Sequence, residues 1–550
     1  MRKILTGLLI GLGLSAFAVP ARRVQKTIRL ADGTVKEVVL KGDEFGHYLM
    51  SKDGKAYREN EIGQYVSVDP EAIVARGEAR KEARNRIRAQ RLPATRSASY
   101  APANTGQKRG IVILVNFSDR KMTMTKSQFE DYFNKPGYDS FGMQGSVHDY
   151  FYDSSYGKFD LQFDIIGPIN ASQSVGYYGK NDEYGDDLHV GELVCEVVKI
   201  AYEQGVDFSP YDWNKDGYVD QVYLIYAGFG EASGAPASTI WPHEYDLASS
   251  KYWGDGTGPV KCGNVTVNTY ACSNELFGTV GKKVDGIGTA CHEFSHCLGL
   301  PDMYDTRNTE TPNFGMDAWD LMDYGNYNND SYCPTGYTSY ERWFCGWLTP
   351  TELTSPCTIE DLPCINEKPE AYLIYNDNNH NEYYLLENRQ PYGWNTYDPG
   401  HGMLVLHVDY SKYAWDRNEI NNTTTRQRMT IIPADDHLSD LPKDLAGDTW
   451  PGTSGNTALG NDTKPAAKLY NLNTNGKRLL NHSITEITEN FFEGTISFLF
   501  DGGKGADGIE QLDEKPHPTQ TYLLSGQRAT KGTQSRNTIW VSNGRKWISR

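Results

Sequence analysis

Past its first eighteen residues the chain has no apolar run near the roughly 18 residues a membrane-crossing helix needs, so no transmembrane segment is expected in the mature protein. Cysteine is scarce. Nine in 550 residues are too few for a disulfide scaffold, and the odd count leaves at least one thiol unpaired within the chain. Cys262 and Cys272 flank a strand-like stretch, and Cys357 and Cys364 bracket a short loop, so each pair is a candidate bridge. The other reading is that the cysteines are small buried hydrophobes. Basic charge is also in deficit: 54 Lys and Arg against 71 Asp and Glu leave a net charge of −17. The deficit is uneven. Residues 19–105 carry 17 basic and 11 acidic groups, whereas everything after them carries 35 and 60. A body this acidic repels phosphate backbones, which argues against nucleic-acid binding, and it suits hard cations.

What is present begins at the N-terminus. Arg2 and Lys3 precede an apolar run, Ile4 to Leu14, closed by the small residues Ser15, Ala16 and Ala18 around Phe17. This is the pattern of a secretory signal cut after Ala18, so the protein is expected to be extracellular, released or held on the cell surface. No Cys follows the cut, so a lipoprotein anchor is not indicated.

Composition shifts divide the rest. Residues 19–108 read as short strands, a charged helix over 71–92 and a small-residue linker over 93–108 rich in exposed Arg and Lys, hence open to proteolysis. A basic segment ahead of an acidic body suggests a propeptide docked by charge; an ordinary N-terminal domain is the alternative. Residues 109–350 open with the apolar strand Gly110–Phe117, continue with helical patterns near Ser127–Asn134, Ser146–Tyr152 and Leu188–Glu203, and reach a second buried strand at Val222–Ala227. Alternating strands and helices predict an α/β or α+β catalytic unit. Residues 351–501 show short strands between Asn/Asp/Gly-rich loops, the spacing of an antiparallel β-sandwich. Residues 502–550 form a linker and a basic tail.

The chemistry is concentrated in Cys291-His292-Glu293-Phe294-Ser295-His296-Cys297-Leu298-Gly299-Leu300-Pro301-Asp302. On a helix His292 and His296 share a face and can offer two imidazoles to one Zn2+. Glu293, about 100° further round, can reach a water at the metal without being a ligand, as a general base must. Gly299 permits the sharp turn that ends such a helix. Asp302 arrives ten residues after His292, where a third ligand can return. Met322, in Trp319-Asp320-Leu321-Met322-Asp323-Tyr324, lies twenty residues beyond. Two structural histidines and a core methionine are the plainer reading of each part alone, but not of all six positions in this order.

This layout resembles the metzincin metallopeptidases, with Met322 in the Met-turn. Within them the chain is similar to the immune inhibitor A family of secreted bacterial metallopeptidases. The resemblance is carried by Gly145–Phe151, Ser155–Lys158, Trp241-Pro242-His243, His292–Asp305, Tyr384–Gln390 and Gly402–Asp409, across roughly residues 106–500. It implies an extracellular zinc endopeptidase made as a zymogen, acting on proteins or peptides, with a β-rich region after the catalytic unit. Many metzincins have His where this chain has Asp302, so the site would carry a net charge near +1 rather than +2. Asp305 and Asp320 are the alternative third ligands. Tyr324, two residues past Met322, matches the metzincin tyrosine that stabilises an oxyanion, with a packed or surface tyrosine the alternative; His243 is a candidate cleft residue, with a structural histidine the alternative.

A second ion site is suggested by Asp212-Trp213-Asn214-Lys215-Asp216-Gly217-Tyr218-Val219-Asp220. It follows the first nine positions of an EF-hand loop for Ca2+ but has Tyr223 where the twelfth-position Glu belongs. An Asx-rich turn is the alternative. Latency cannot use a cysteine switch, because no Cys precedes Cys195. Leu40-Lys41-Gly42-Asp43 resembles segments by which some metzincin propeptides present an aspartate to the metal, with Asp43 the candidate; a hairpin turn is the alternative. The tail, Tyr522–Gln527 and Ile539–Lys546, resembles sorting domains read by outer-membrane secretion machinery. Two rival functions remain: a surface adhesin or glycan-binding protein with a vestigial metal site, and a zinc amidase or esterase.

Overall fold

The computed structural model describes residues 19–60, 62–91, 104–307, 309, 312–503 and three short strands between 521 and 548. The expected signal segment and most of the linker lie outside the described residues. By its contacts the chain divides once, after Gly503. The three regions expected as propeptide, catalytic unit and β-rich region therefore belong to one compact unit.

That unit starts with an antiparallel sheet paired in sequence order: β1 (Gln25–Arg29), β2 (Val35–Asp43), β3 (Gly46–Ser51), β4 (Ala56–Glu59) and β5 (Tyr65–Val68). Helix α1 (Pro70–Arg91) follows. Its first residue is proline, which has no amide to leave unpaired there, and it stops short of Pro93. The central sheet contains β6 (Gly106–Asn116), β7 (Phe159–Asn170), β8 (Val222–Phe229) and β9 (His243–Asp246). A hairpin of β10 (Val260–Cys262) and β11 (Val265–Val267) then leads into β12 (Thr269–Leu276). The order is β7-β6-β8-β12-β9, parallel except for the antiparallel edge strand β9.

The sheet is covered on both faces, which is why β6 and β8 read as unbroken apolar runs. Val112 and Leu114 join a core with α2 (Lys126–Asn134), α3 (Val147–Ser154) and the later helix α7 (Gly288–Ser295). Ile111, Ile113 and Val115 face α5 (Val190–Glu203), which lies between the short helices α4 (Val175–Tyr178) and α6 (Leu247–Tyr252). Capping boxes, Thr125 with Gln128 and Ser146 with Asp149, set the starts of α2 and α3.

After α8 (Ser339–Phe344) come two further sheets. One has the order β13 (Thr351–Glu352), β15 (Tyr372–Asn376), β16 (Asn379–Arg389), β17 (Gly402–Asp409), β18 (Met429–Ile431). The other pairs β14 (Cys357–Leu362), β20 (Thr495–Phe500) and β19 (Ile484–Asn490). Leu386, Met403 and Val405 point into a core shared with Ile484, Ile496 and Phe498. Their neighbours Leu385, Leu404 and Leu406 point the other way, into the core that holds α3 and α7. The five-stranded sheet is thus a shared wall with the catalytic unit. In the separate tail unit β21 (Thr521–Leu523), β22 (Ile539–Ser542) and β23 (Arg545–Ile548) form an antiparallel sheet.

All nine cysteines are unbridged. The two expected bridges fail because extended chain separates the partners. Strand β14 carries the backbone about 15 Å between Cys357 and Cys364, and Cys262 and Cys272 lie in strands of different sheets. Seven of the nine are buried, as small hydrophobes would be.

Because β16 is buried on both faces, Leu385→Ala and Leu386→Ala should each cost about 2–5 kcal/mol although their side chains enter different cores. Urea unfolding of the two variants beside the parent checks this.

Candidate metal centre and catalytic cleft

Helix α7 follows β12 and is wedged against the segment 324–331 so closely that a Cβ on Gly288 would lie 1.9 Å from the Asn326 carbonyl oxygen. A one-turn extension, His296–Leu298, ends at Gly299, whose φ of +96° is the left-handed conformation glycine adopts without penalty. The chain reverses there and brings Asp302 back over the helix. His292, His296 and Asp302 gather with one ligand atom from each within 4.8 Å of one another, and among the described residues no other group of three metal-capable side chains does so. All three are buried.

The orientation of each donor has a cause. Nδ1 of His292 lies 2.8 Å from the Leu321 carbonyl and Nδ1 of His296 lies 2.8 Å from the Leu300 carbonyl. A carbonyl only accepts, so each Nδ1 carries the proton and each Nε2 presents its lone pair to the centre. Asp302 is held by Asn418, which donates 2.5 Å to Oδ2 and accepts from the Asp302 amide at 2.8 Å. That leaves Oδ1 facing His292 Nε2 at 3.2 Å and His296 Nε2 at 3.7 Å. Neither His292 Nε2 nor Asp302 Oδ1 has a hydrogen-bond partner. Buried polar atoms left this way are costly unless something binds them. Two imidazoles and a carboxylate form a set that suits Zn2+. The alternative ligands are committed elsewhere: Asp305 pairs with Arg307, and Asp320 Oδ1 accepts from the Met322 amide.

Met322 is fully buried, and its carbonyl accepts from the Met303 amide at 2.8 Å. The adjacent carbonyl of Leu321 is the one that orients His292, so this segment reaches the site through its backbone. Glu293 is buried. Burial, with Asp302, Glu44 and Glu244 nearby, pushes its carboxyl well above the usual carboxylate range. Its Oε1 accepts from the Val19 amide at 3.0 Å.

The contact with Val19 was not legible in the sequence. Residues 19–23 thread the cleft beside Glu293: the Val19 carbonyl accepts from Trp241 Nε1 at 3.4 Å and the Pro20 carbonyl from the Tyr327 hydroxyl at 2.7 Å. Tyr324 lies under Arg23, 3.7 Å from guanidinium carbon to ring centre. The β2–β3 hairpin also enters here. Asp43 sits at its base, paired with Lys81 at 3.1 Å and accepting from the Phe45 amide at 2.8 Å. The neighbouring Glu44 is the residue brought toward the site. Both its carboxylate oxygens are buried without hydrogen-bond partners, and burial together with Asp43 and Asp302 pushes its pKa well up. A hairpin-tip glutamate gives no sequence signal, because only docking makes it buried.

His243 is packed in the sheet. Nδ1 lies 2.6 Å from the Trp241 carbonyl and Nε2 lies 3.2 Å from the Tyr270 hydroxyl. In the 212–220 loop the acidic oxygens turn onto backbone amides: Asp212 accepts from Asp216 and Gly217, Asn214 from Asp216, Asp216 from Tyr218, and Asp220 from Trp213. The three carboxylates do not gather as the His292 group does.

A buried His–His–Asp set with an adjacent buried glutamate, on a helix beside a mixed sheet, is the donor arrangement that metallopeptidases use. Residues 103–347 match the model of the immune inhibitor A peptidase M6 catalytic domain. Over 220 residues the chain is 26% identical to the pre-pro-metalloprotease PrtV of Vibrio cholerae serotype O1, covering 36% of this chain and 23% of the relative. It is 27% identical over 197 residues to immune inhibitor A of Bacillus thuringiensis subsp. alesti, covering 30% and 27%. It is 23% identical over 265 residues to a putative secreted metallopeptidase of Arthroderma benhamiae, covering 43% and 36%. The matched region spans between about a quarter and a third of the length of these relatives.

Two outcomes follow. Asp302→Ala should abolish zinc retention while Asp305→Ala and Asp320→Ala keep it, as metal analysis of the dialysed proteins reads. Burial lowers the pKa of His243 to about 4, against 6.5 for a free histidine. The folded state therefore binds its proton less readily than the unfolded state. This contribution to stability is full above pH 6.5 and is lost as pH falls toward 4, by up to about 3 kcal/mol. Unfolding free energies measured from pH 7 to 4 should fall more steeply for the parent than for His243→Gln.

Proposed function

We propose that this chain is a secreted zinc-dependent endopeptidase, made with a signal at 1–18 and held latent by residues 19–91 until the linker is cut. The observation that carries the reading is the Val19 amide on Glu293 Oε1, beside the buried His292, His296 and Asp302. The Val19 nitrogen, the amino terminus of the chain once the signal is cut, stands on the glutamate where a general base would meet the leaving amine of a substrate. His292, His296 and Asp302 would hold the zinc, which supplies Lewis acidity toward a scissile carbonyl and toward water. Glu293 then takes a proton from the attacking water and passes it to the leaving amine, a role its burial suits by raising its proton affinity. Tyr324, once uncovered by departure of Arg23, offers its hydroxyl to the oxyanion.

Charge supports the docking of 19–91. Arg84 of α1 is fully buried against Glu244 at 2.8 Å and Asp246 at 3.0 Å, and Arg80 reaches Asp186 at 2.5 Å. The calcium assignment rests on the order of oxygen donors along 212–220, and calcium should raise the melting temperature of the parent but not of Asp212→Ala. The tail sheet, 521–548, is assigned to engage outer-membrane secretion machinery. The adhesin reading is not favoured, because every donor and the glutamate of the site are in place.

Casein hydrolysis should appear only after limited trypsin treatment and vanish with a zinc chelator. It should fall about 10²–10⁴-fold or more in Glu293→Ala, with zinc still bound at about one per chain. Zinc without any cleavage would point to the amidase reading. A well-folded protein without zinc would sink the enzyme assignment.

A further inference from the structure

The segment in the cleft reports what the cleft accepts. Val19 places its nitrogen on Glu293, the position of a leaving amine, so residues 20–23 run along the side that holds the leaving fragment. Two of them are arginines with prepared seats. Arg22 is buried, and its guanidinium donates to Asp285 Oδ1 at 3.0 Å and to Ser331 Oγ at 2.8 Å. Its Cζ lies 4.5 Å from the ring centre of Tyr327 and 4.9 Å from that of Phe277. The seat is built by the body of the protein: Asp285 is buried and accepts from Asn274 Nδ2 at 2.9 Å and from the Gly286 amide at 3.0 Å. Arg23 makes a two-point contact with Asp317, at 2.5 and 3.3 Å, over the face of Tyr324. The Ala318 amide at 2.8 Å holds that carboxylate in place.

If residues 19–91 leave, Asp285 and Asp317 lose their counter-charges. A buried carboxylate without a cation is unfavourable, and the fork of donors on a substrate arginine restores both the charge and the aromatic contact. We propose that the leaving-fragment side of the cleft selects basic side chains, arginine above all, through the Asp285–Ser331 seat between Phe277 and Tyr327 and the Asp317 clamp beside Tyr324. The pro-segment is thus a stand-in for the substrate class it excludes. This rests on the peptidase reading above and adds its substrate preference.

The test uses the full chain after limited trypsin nicking. Its cleavage sites in a peptide library are read by mass spectrometry, and Arg and Lys should be enriched at the fourth and fifth residues after the cut bond, the places of Arg22 and Arg23 counted from Val19. In parallel, a fluorescent Val-Pro-Ala-Arg-Arg peptide should bind the nicked protein about tenfold or more tightly than Val-Pro-Ala-Ala-Ala. Asp285→Asn and Asp317→Asn should each reduce that ratio. Asp317 lies outside the Asn274 network, so its variant reports even if Asp285→Asn fails to fold. Zinc-dependent cleavage without basic enrichment, and with equal binding of the two peptides, overturns this proposal and leaves the peptidase reading standing. Selective binding of the arginine peptide without cleavage overturns the peptidase reading and supports the seats.

Discussion

The constraint on which the rest of the structure depends is the burial of a polar, charge-bearing group at the junction of α7, the Met-turn and the chain returning at Asp302. Imidazoles, a carboxylate and a glutamate cannot be withdrawn from water without partners. The fold supplies these from backbone and neutral side chains: the carbonyls of Leu321 and Leu300 for the histidines, and the amide of Asn418 for Asp302. What backbone cannot supply is a counter-charge. The atoms left unbonded at the centre of the group are those that a cation would take.

The same constraint shapes the N-terminal segment. The cleft and the surface beside it are acidic, and 19–91 answers with buried guanidinium and ammonium groups: Arg22 on Asp285, Lys81 on Asp43, and Arg84 on Glu244 and Asp246. One of these, Lys81 on Asp43, lies within the segment and stiffens the hairpin that carries Glu44 inward. Breaking one partner of a buried pair of this kind is strongly destabilising, so these matched contacts fix where the segment docks.

The β-rich region has a structural part in the site. One face of its five-stranded sheet closes the core beneath α3 and α7, and Asn418, which fixes Asp302, is carried in the loops after β17. Fully buried Arg389 ties the region back to the catalytic unit through Thr335 and Gly336. The catalytic unit and the sheet that follows it therefore form a single mechanical body.

Much of the site was legible in the sequence because its signals are local. A helical spacing of four puts His292 and His296 on one face, Gly299 marks the turn, and ten residues bring Asp302 back. The continuous apolar runs of β6 and β8 likewise announce strands buried on both sides. What the sequence alone could not decide lies in contacts across large separations: Val19 on Glu293, 274 residues apart; Arg22 in the Asp285 seat, 263 apart; Asn418 on Asp302, 116 apart. These depend on how separately formed elements pack, and a polar residue carries no mark of the distant partner that will bury it. For the same reason the sequence left His243 open between a cleft and a structural histidine and Asp43 between the metal and a hairpin turn, while the packing pairs both elsewhere and turns Glu44 and the chain from Val19 to Arg23 toward the site. The sequence by itself determined which donor side chains stand together on one helix and its return; the tertiary structure decided what lies against them, because only packing brings the distant Val19 and Arg22 to Glu293 and Asp285.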